Sequence, residues 1–549
     1  MSTFFELFGF LSVLANGLDL LAQSVLLGTI AFLLLLGFPL QRNAFDSMSV
    51  ATFNMLAGGA VAALVTASCV SLLGAVALTS SLHVPWQEVV GADFMLAGAA
   101  KMAAACGLWA IALKRPAPTV RARIVLVVLA AVILGALLAT SHAAARPGSR
   151  TIMLTATALH AAGAALWLGG LPCFWLAIGP AGDRARRAQI ARRYSSIAIA
   201  GVSLIAVGAA AMSVDYIGSA QGLYGTAYGA MALGKLCLLA VLLLLGLGNF
   251  LAVRVLDRNT HTALRIRRFV EVEMGIGAAA VMLAASITSV PPAIDTPERI
   301  TLRDLAQRIA PRWPRLESPD HASLAIPALQ ARLDAEAWEV PSAGPQQAFV
   351  PGAGQTPPRD AHDIAWSEYN HHWSGLIVLA IGFVSLLHRT GRVPGARHWP
   401  LLFLALAAFL FYRADAEVWP AGSIGFFESM KDPEVVQHRI FVLLTIAFAL
   451  FEWGVRTGRI ASRRLALVFP LLTALGGTLL LTHSHAIANP QEELLIEYSH
   501  LPMGILGLCA GWARWLELRG DPGQRRWAGW VWPVCFVLIG LLLIDYREA

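Results

Sequence analysis

The sequence predicts an all-α, polytopic integral membrane protein with about fourteen transmembrane helices in two helical domains, and three observations predict it. Hydrophobic residues make up 57% of the 549 positions and charged residues 14%, with a mean hydropathy of +0.63. A soluble chain of this length needs roughly a quarter of its residues charged to cover its surface. Apolar runs recur at lengths that cross a hydrocarbon core, and the loops between them are alternately basic.

Taken in order, the runs place spans at 19–41, 51–80, 93–113, 122–142, 151–179, 195–217, 227–253 and 270–290. After a polar stretch they resume at 371–388, 400–413, 438–455, 464–482, 493–516 and 528–545. The loops Lys114–Arg123, Arg184–Arg193, Arg254–Arg268, Arg389–Arg397, Arg456–Arg464 and Arg519–Arg526 each hold three to five Lys or Arg. The positive-inside rule puts all six in the cytoplasm. That requires an even span count with both termini outside, a side that in a Gram-negative cell is the periplasm.

The net charge of +7 is carried in these short loops, so nucleic acid is not an implied partner; the bilayer is. Cys69, Cys106, Cys173, Cys237, Cys509 and Cys535 all fall in apolar runs without a CxxC pair, which points away from a disulfide framework or a structural zinc site. The start, MSTFFELFGF, has neither a basic region nor a small-residue cleavage site, so no removable signal is expected. From 293 to 365 the chain is polar and rich in proline, too short for a sizeable core. It reads as a periplasmic linker between a membrane domain at 1–292 and a six-span, histidine-rich domain at 366–549.

On this topology only His261, His388 and His398 of the fourteen histidines face the cytoplasm. Polar side chains in spans are costly and mark sites or pathways, and imidazole is a common ligand for copper, zinc and iron. In the second half, THSHA places His483 and His485 at the end of a span, and EELLIEYSHLPMG places Glu497 and His500 inside the next. Glu493, Glu497, His500 and Gly504 share one helical face. WSEYNHHWSG brings Glu368, His371 and His372 in from the same side, and His438 opens a further span. A metal site is therefore expected from His483, His485, His500 and Glu497 with one or more of His371, His372 and His438. The first half repeats the device with His142 at a span end and His160 inside the next span, on the same face as Trp167. Lys235 either pairs with Asp215 or keeps cations out of part of the bundle.

The string LHAAGAALWLGGL around His160 resembles the motif of the CopD copper-resistance family of bacterial inner-membrane proteins. TSHA with His142, YGTAYGAMALGK ending in Lys235, Asn249, RRFVEVEMG with Glu271 and Glu273, and Val290–Pro292 follow in that family's order over about 140–292. Ser141 stands where the family's first segment carries glycine. The resemblance implies copper ions as the metal, with His142 and His160 in their path, and movement of copper across the membrane from the periplasm. It says nothing of the six-span domain.

The function expected is copper binding on the periplasmic face followed by inward transport, in copper homeostasis or resistance. A periplasmic copper-binding protein is a candidate partner. No nucleotide-binding motif is present, so movement is passive or driven by gradients. Two alternatives stay open. One is a membrane redox protein, with haem or catalytic copper on the C-terminal histidines. The other is a copper sensor or assembly factor that binds without transporting.

Overall fold

The structure is a computed structural model that describes residues 2–40, 47–81, 84–179, 184–256, 260–296, 299–319, 361–415, 418–431, 433–482 and 490–548. Among these, fourteen helices are long and apolar enough to cross a membrane. They are α1 (Phe8–Leu40), α2 (Met48–Ser80), α3 (Asp93–Lys114), α4 (Val120–Ala139), α5 (Arg150–Ala177), α6 (Arg184–Tyr216) and α7 (Ala227–Arg254). After these come α8 (Thr262–Ile287), α9 (Ala361–Thr390), α10 (Pro394–Arg413), α11 (His438–Arg456), α12 (Leu465–Thr482), α13 (Leu494–Arg519) and α14 (Pro522–Ile544).

Several helices outrun the apolar stretches that announce them. Helix α6 starts at Arg184 instead of 195, α8 at Thr262 instead of 270, and α9 at Ala361 instead of 371. Hydropathy registers only the lipid-facing part, whereas the i to i−4 ladder continues wherever helix-forming residues follow, as in RARRAQIARRY. The opposite correction applies to His142. Helix α4 stops at Ala139, Ser141 is extended, and His142 opens a short 3-10 turn, His142–Ala145. It is therefore a loop residue and not the end of a span.

Two compact units make up the chain: Phe8–Leu223 with Met231–Pro297, and Glu298–Ala549 with Met1–Leu7 and Tyr224–Ala230. In the N-terminal unit Leu26, Phe53, Leu56 and Leu108 pack α1, α2 and α3 together. A buried ion pair crosses this core, from Lys101 Nζ to Asp19 Oδ2 at 2.6 Å. Gln23 Nε2 and Thr66 Oγ1 also donate to that carboxylate, at 2.6 and 3.0 Å.

Lipid is as apolar as leucine, so helices in a membrane associate through close packing rather than through exclusion of water. Helices α5 and α6 show how. A Cβ at Gly163 would lie 2.5 Å from the Gly201 carbonyl oxygen, and one at Gly208 would lie 2.6 Å from that of Ala156. The two backbones are in contact because these positions have no side chain. In α5 the segment Ala165–Gly169, the ALWLG of the motif, forms a π-helical turn. Trp167 still shares the α6-facing side of α5 with His160: a Cβ at Gly201 would lie 3.1 Å from the Trp167 Cβ, and one at Gly208 would lie 2.9 Å from that of His160.

In the C-terminal unit α9 runs against α14 and α12 against α13. Trp399, Phe469 and Trp532 are buried in the middle of its aromatic core. At the end carrying the basic loops, Glu517 accepts from Arg514, Arg389 and the Trp532 indole. Part of the expected linker belongs to this unit: Trp373 Nε1 donates to the Leu316 carbonyl at 3.1 Å, and Arg413 bonds to Ser318.

Candidate metal centres

His160 lies ten residues into α5, about 15 Å along the helix from Arg150. Its Nδ1 is 3.2 Å from the carbonyl oxygen of Ile205 on α6. A carbonyl only accepts, so Nδ1 carries the proton and the lone pair sits on Nε2. That is the tautomer a ligating histidine needs, held by the kind of outer hydrogen bond that orients metal ligands. The contact exists because Gly208 lets α6 approach until its Cα faces the His160 backbone. Thr157, one turn before His160, donates to the sulfur of Met212 at 3.6 Å. Met212 is a soft donor beside this site, and the sequence contained no signal to separate it from ordinary apolar packing.

His142 is exposed, and its Nε2 donates to the Thr288 carbonyl at 3.0 Å, leaving the lone pair on Nδ1. Its loop is clamped by Arg146, which pairs with Asp295 and lies over the Tyr216 ring. Among the described residues Lys235 makes no ion pair with Asp215; it lies within electrostatic reach of His160 instead. Deeper in the bundle, Asn249 Nδ2 donates to Glu273 Oε1 at 2.5 Å, with the Trp167 indole facing the same carboxylate. Trp175 Nε1 donates to Glu271 at 3.2 Å, and Arg268 pairs with it.

The C-terminal unit brings His371 of α9 and His500 of α13 together, with ring centroids 6.2 Å apart. His371 Nδ1 donates to the Ser367 carbonyl at 2.8 Å, and His500 Nδ1 to that of Ile496 at 2.9 Å. Both rings thus carry their lone pairs on Nε2. Glu497, 4% exposed, is one turn from His500. The surprise is Tyr546, whose ring stacks on His371 at 3.8 Å and meets His500 edge-on at 5.8 Å. Its hydroxyl donates to Glu548 Oε1 at 2.7 Å, which also accepts from Ser367 at 2.8 Å. The segment after α14 therefore turns back into the site, a fact no periodicity in DYRE announces.

His372 is differently employed. It is fully buried, its Nδ1 receives the Arg315 backbone N–H at 2.7 Å, and its Nε2 is within 3.0 Å of the Tyr546 carbonyl. Both nitrogens hold protein atoms together. Beside it, Arg315 pairs with Glu368 at 3.3 Å. Arg547 reaches His372 Nε2 at 2.8 Å and the Arg312 carbonyl at 3.1 Å. Burial pushes the Arg547 guanidinium below its ordinary range, against the pull of Glu368 and Asp545. His438 is bonded through Nδ1 to Asp415 Oδ1 at 2.7 Å, a carboxylate–imidazole pair on the α10–α11 connection. His483 and His485 lie outside the described residues. Among the described residues no three His, Cys, Asp or Glu converge as a complete metal-ligand set.

Residues 188–287 match the family model of copper resistance protein D, CopD. Over 155 residues the chain is 32% identical to the copper transport protein CutJ of Bacillus subtilis strain 168, a match covering 28% of this chain and 28% of that protein. The chain thus aligns with less than a third of that curated relative's length. No solved structure matches. The matched family segment begins after His160 and holds Lys235, Asn249, Glu271 and Glu273. Through this segment, spanning most of α6, α7 and α8, the chain is similar to the CopD copper-resistance family.

Proposed function

We propose that this protein takes up copper ions on the periplasmic side of a bacterial inner membrane and carries them to the cytoplasm through its N-terminal unit. The observation that carries the proposal is His160. It is an imidazole inside a membrane helix, with Nδ1 committed to the Ile205 carbonyl and Nε2 left as the ligating nitrogen, beside the CopD segment. A metal relay needs ligands that bind loosely enough to release. His142 on the exposed loop, Met212 on α6 beside Thr157 and His160 within α5 supply such donors at successive depths. Imidazole and thioether together suit copper better than magnesium or calcium.

The C-terminal unit holds a second copper site, built on Nε2 of His371 and His500 with Glu497 beside them. His483 and His485 remain in the proposed ligand set, and His438 is a neighbouring ligand steadied by Asp415. His372 serves this site as a support.

The test uses the full-length protein. His160→Ala is expected to cut copper accumulation in cells while leaving the purified protein folded, and His142→Ala to lower it less. Unchanged accumulation in the well-expressed double variant removes both residues from the path. Metal analysis and a visible spectrum of the purified protein accompany it, since a Soret band would replace copper with haem in the C-terminal unit.

A further inference from the structure

We propose that Glu273, with Asn249, is a proton-binding site in the CopD-like bundle, and that metal movement through that bundle is coupled to the pH difference across the membrane. The coupling rests on the transport function proposed above; the proton site does not.

Glu273 lies one turn inside the apolar part of α8, which begins at Phe269, in the half of the bundle nearer the basic loops. It is 2% exposed. Four helices close around it: α5 with Trp167, α6 with Tyr194, α7 with Asn249, and α8 itself. Its hydrogen bond comes from a neutral donor, Asn249 Nδ2, and the neutral Trp167 indole faces the same carboxylate. The titratable group within its reach is the Tyr194 phenol, which donates to the Trp167 carbonyl at 2.5 Å. Cys173 lies near that phenol, its thiol against Thr29. Glu271 faces elsewhere, onto Arg268 and Trp175. Among the described residues no Lys, Arg or His comes within ion-pair distance of Glu273.

An isolated carboxylate in such surroundings carries a desolvation penalty of several kcal/mol, which a proton removes. A second observation points the same way. Asn249 turns its Nδ2 to Glu273, which fixes the amide orientation, and leaves its Oδ1 buried without a donor. Protonated Glu273 brings an O–H into a pocket where an acceptor has none. A buried acid with a neutral cage and an unmatched acceptor is built to hold a proton, whereas the Asp19–Lys101 pair in the same unit is built to hold a charge. In the coupled cycle the Glu273 O–H breaks, its proton passes to water on one side, and the carboxylate left behind favours the arriving cation. As the cation leaves, a proton from water on the other side restores the acid.

The test uses the full-length protein in phospholipid vesicles. In pH-difference infrared spectra, wild type is expected to show a protonated buried carboxyl that disappears in Glu273→Gln and shifts in Glu273→Asp. Copper, supplied as Cu(II) or with ascorbate as Cu(I), is then added outside with and without an imposed pH difference. One pH unit should change steady-state accumulation by about tenfold if one proton moves per ion, and Glu273→Gln should abolish that response while Glu273→Asp retains it. Copper entry indifferent to the pH difference, or a Glu273→Gln response equal to wild type, overturns the coupling. If no copper enters wild-type vesicles, the transport function fails and the infrared arm alone decides the site. A carboxyl band unaffected by Glu273→Gln overturns it.

Discussion

Substituting alanine at Gly208 is the sharpest probe of how the helix pair holds His160. The added Cβ would lie 2.6 Å from the Ala156 carbonyl oxygen and 2.9 Å from both N and Cβ of His160. These atoms belong to the α5 backbone or to a first side-chain carbon, so no flexible chain end can yield. Ordinary van der Waals contact begins near 3.4 Å, so α6 must retreat by roughly 0.8 Å, the scale at which overpacking costs about 1–3 kcal/mol. The His160 Nδ1 to Ile205 carbonyl bond, already 3.2 Å, then stretches to about 4 Å and is lost, for about another 1 kcal/mol. Gly208→Ala should therefore lower stability to thermal unfolding in detergent by ~2–4 kcal/mol. It should also reduce copper accumulation, because the freed ring no longer presents Nε2 in a fixed direction. Gly135→Ala is the control, since its Cβ meets nothing within 4 Å. If the two variants match wild type in both assays, tight α5–α6 packing does not position His160.

Lys101→Met leaves Asp19 charged and buried, which should cost ~3–5 kcal/mol, and adding Asp19→Leu should recover part of it; unfolding of both variants in detergent checks this, and a single variant as stable as wild type would refute it. Replacing His371 and His500 together by alanine should remove one copper equivalent in metal titrations. Protons compete with the metal for Nε2, so wild-type affinity should fall as pH falls, and pH-independent binding would exclude imidazole ligands there. For orientation, a membrane-impermeant thiol reagent applied to intact cells should label Trp313→Cys, whose native residue is 97% exposed, and not Arg186→Cys; the reverse pattern would invert the topology.

Span number and class were legible because the bilayer imposes a length and a composition on every crossing. The CopD segment was legible through a few motif residues, among them Lys235, Asn249 and Glu273. Helix ends were less so: α6 and α9 extend through polar residues that hydropathy does not register, and His142 fell out of its helix at Ser141. Within the histidine set the sequence placed residues at similar depth but could not give their rotation or tautomer. His371 and His372 are adjacent in sequence, yet one stacks on Tyr546 with its lone pair on Nε2 while the other is bound on both sides by backbone.

The sequence by itself determined that this is a many-span helical membrane protein with a CopD-like segment. Apolar length, loop charge and motif order are properties of a chain read along its own axis. Only the tertiary structure decided that Asp19 meets Lys101, that Gly208 brings Ile205 to His160, that Asn249 and Trp167 enclose Glu273, and that Tyr546 folds back onto His371 and beside His500. Those pairings join residues tens to hundreds of positions apart. In lipid, helix partners are selected by shape and by matching hydrogen-bond groups rather than by hydrophobicity, and a linear pattern carries neither.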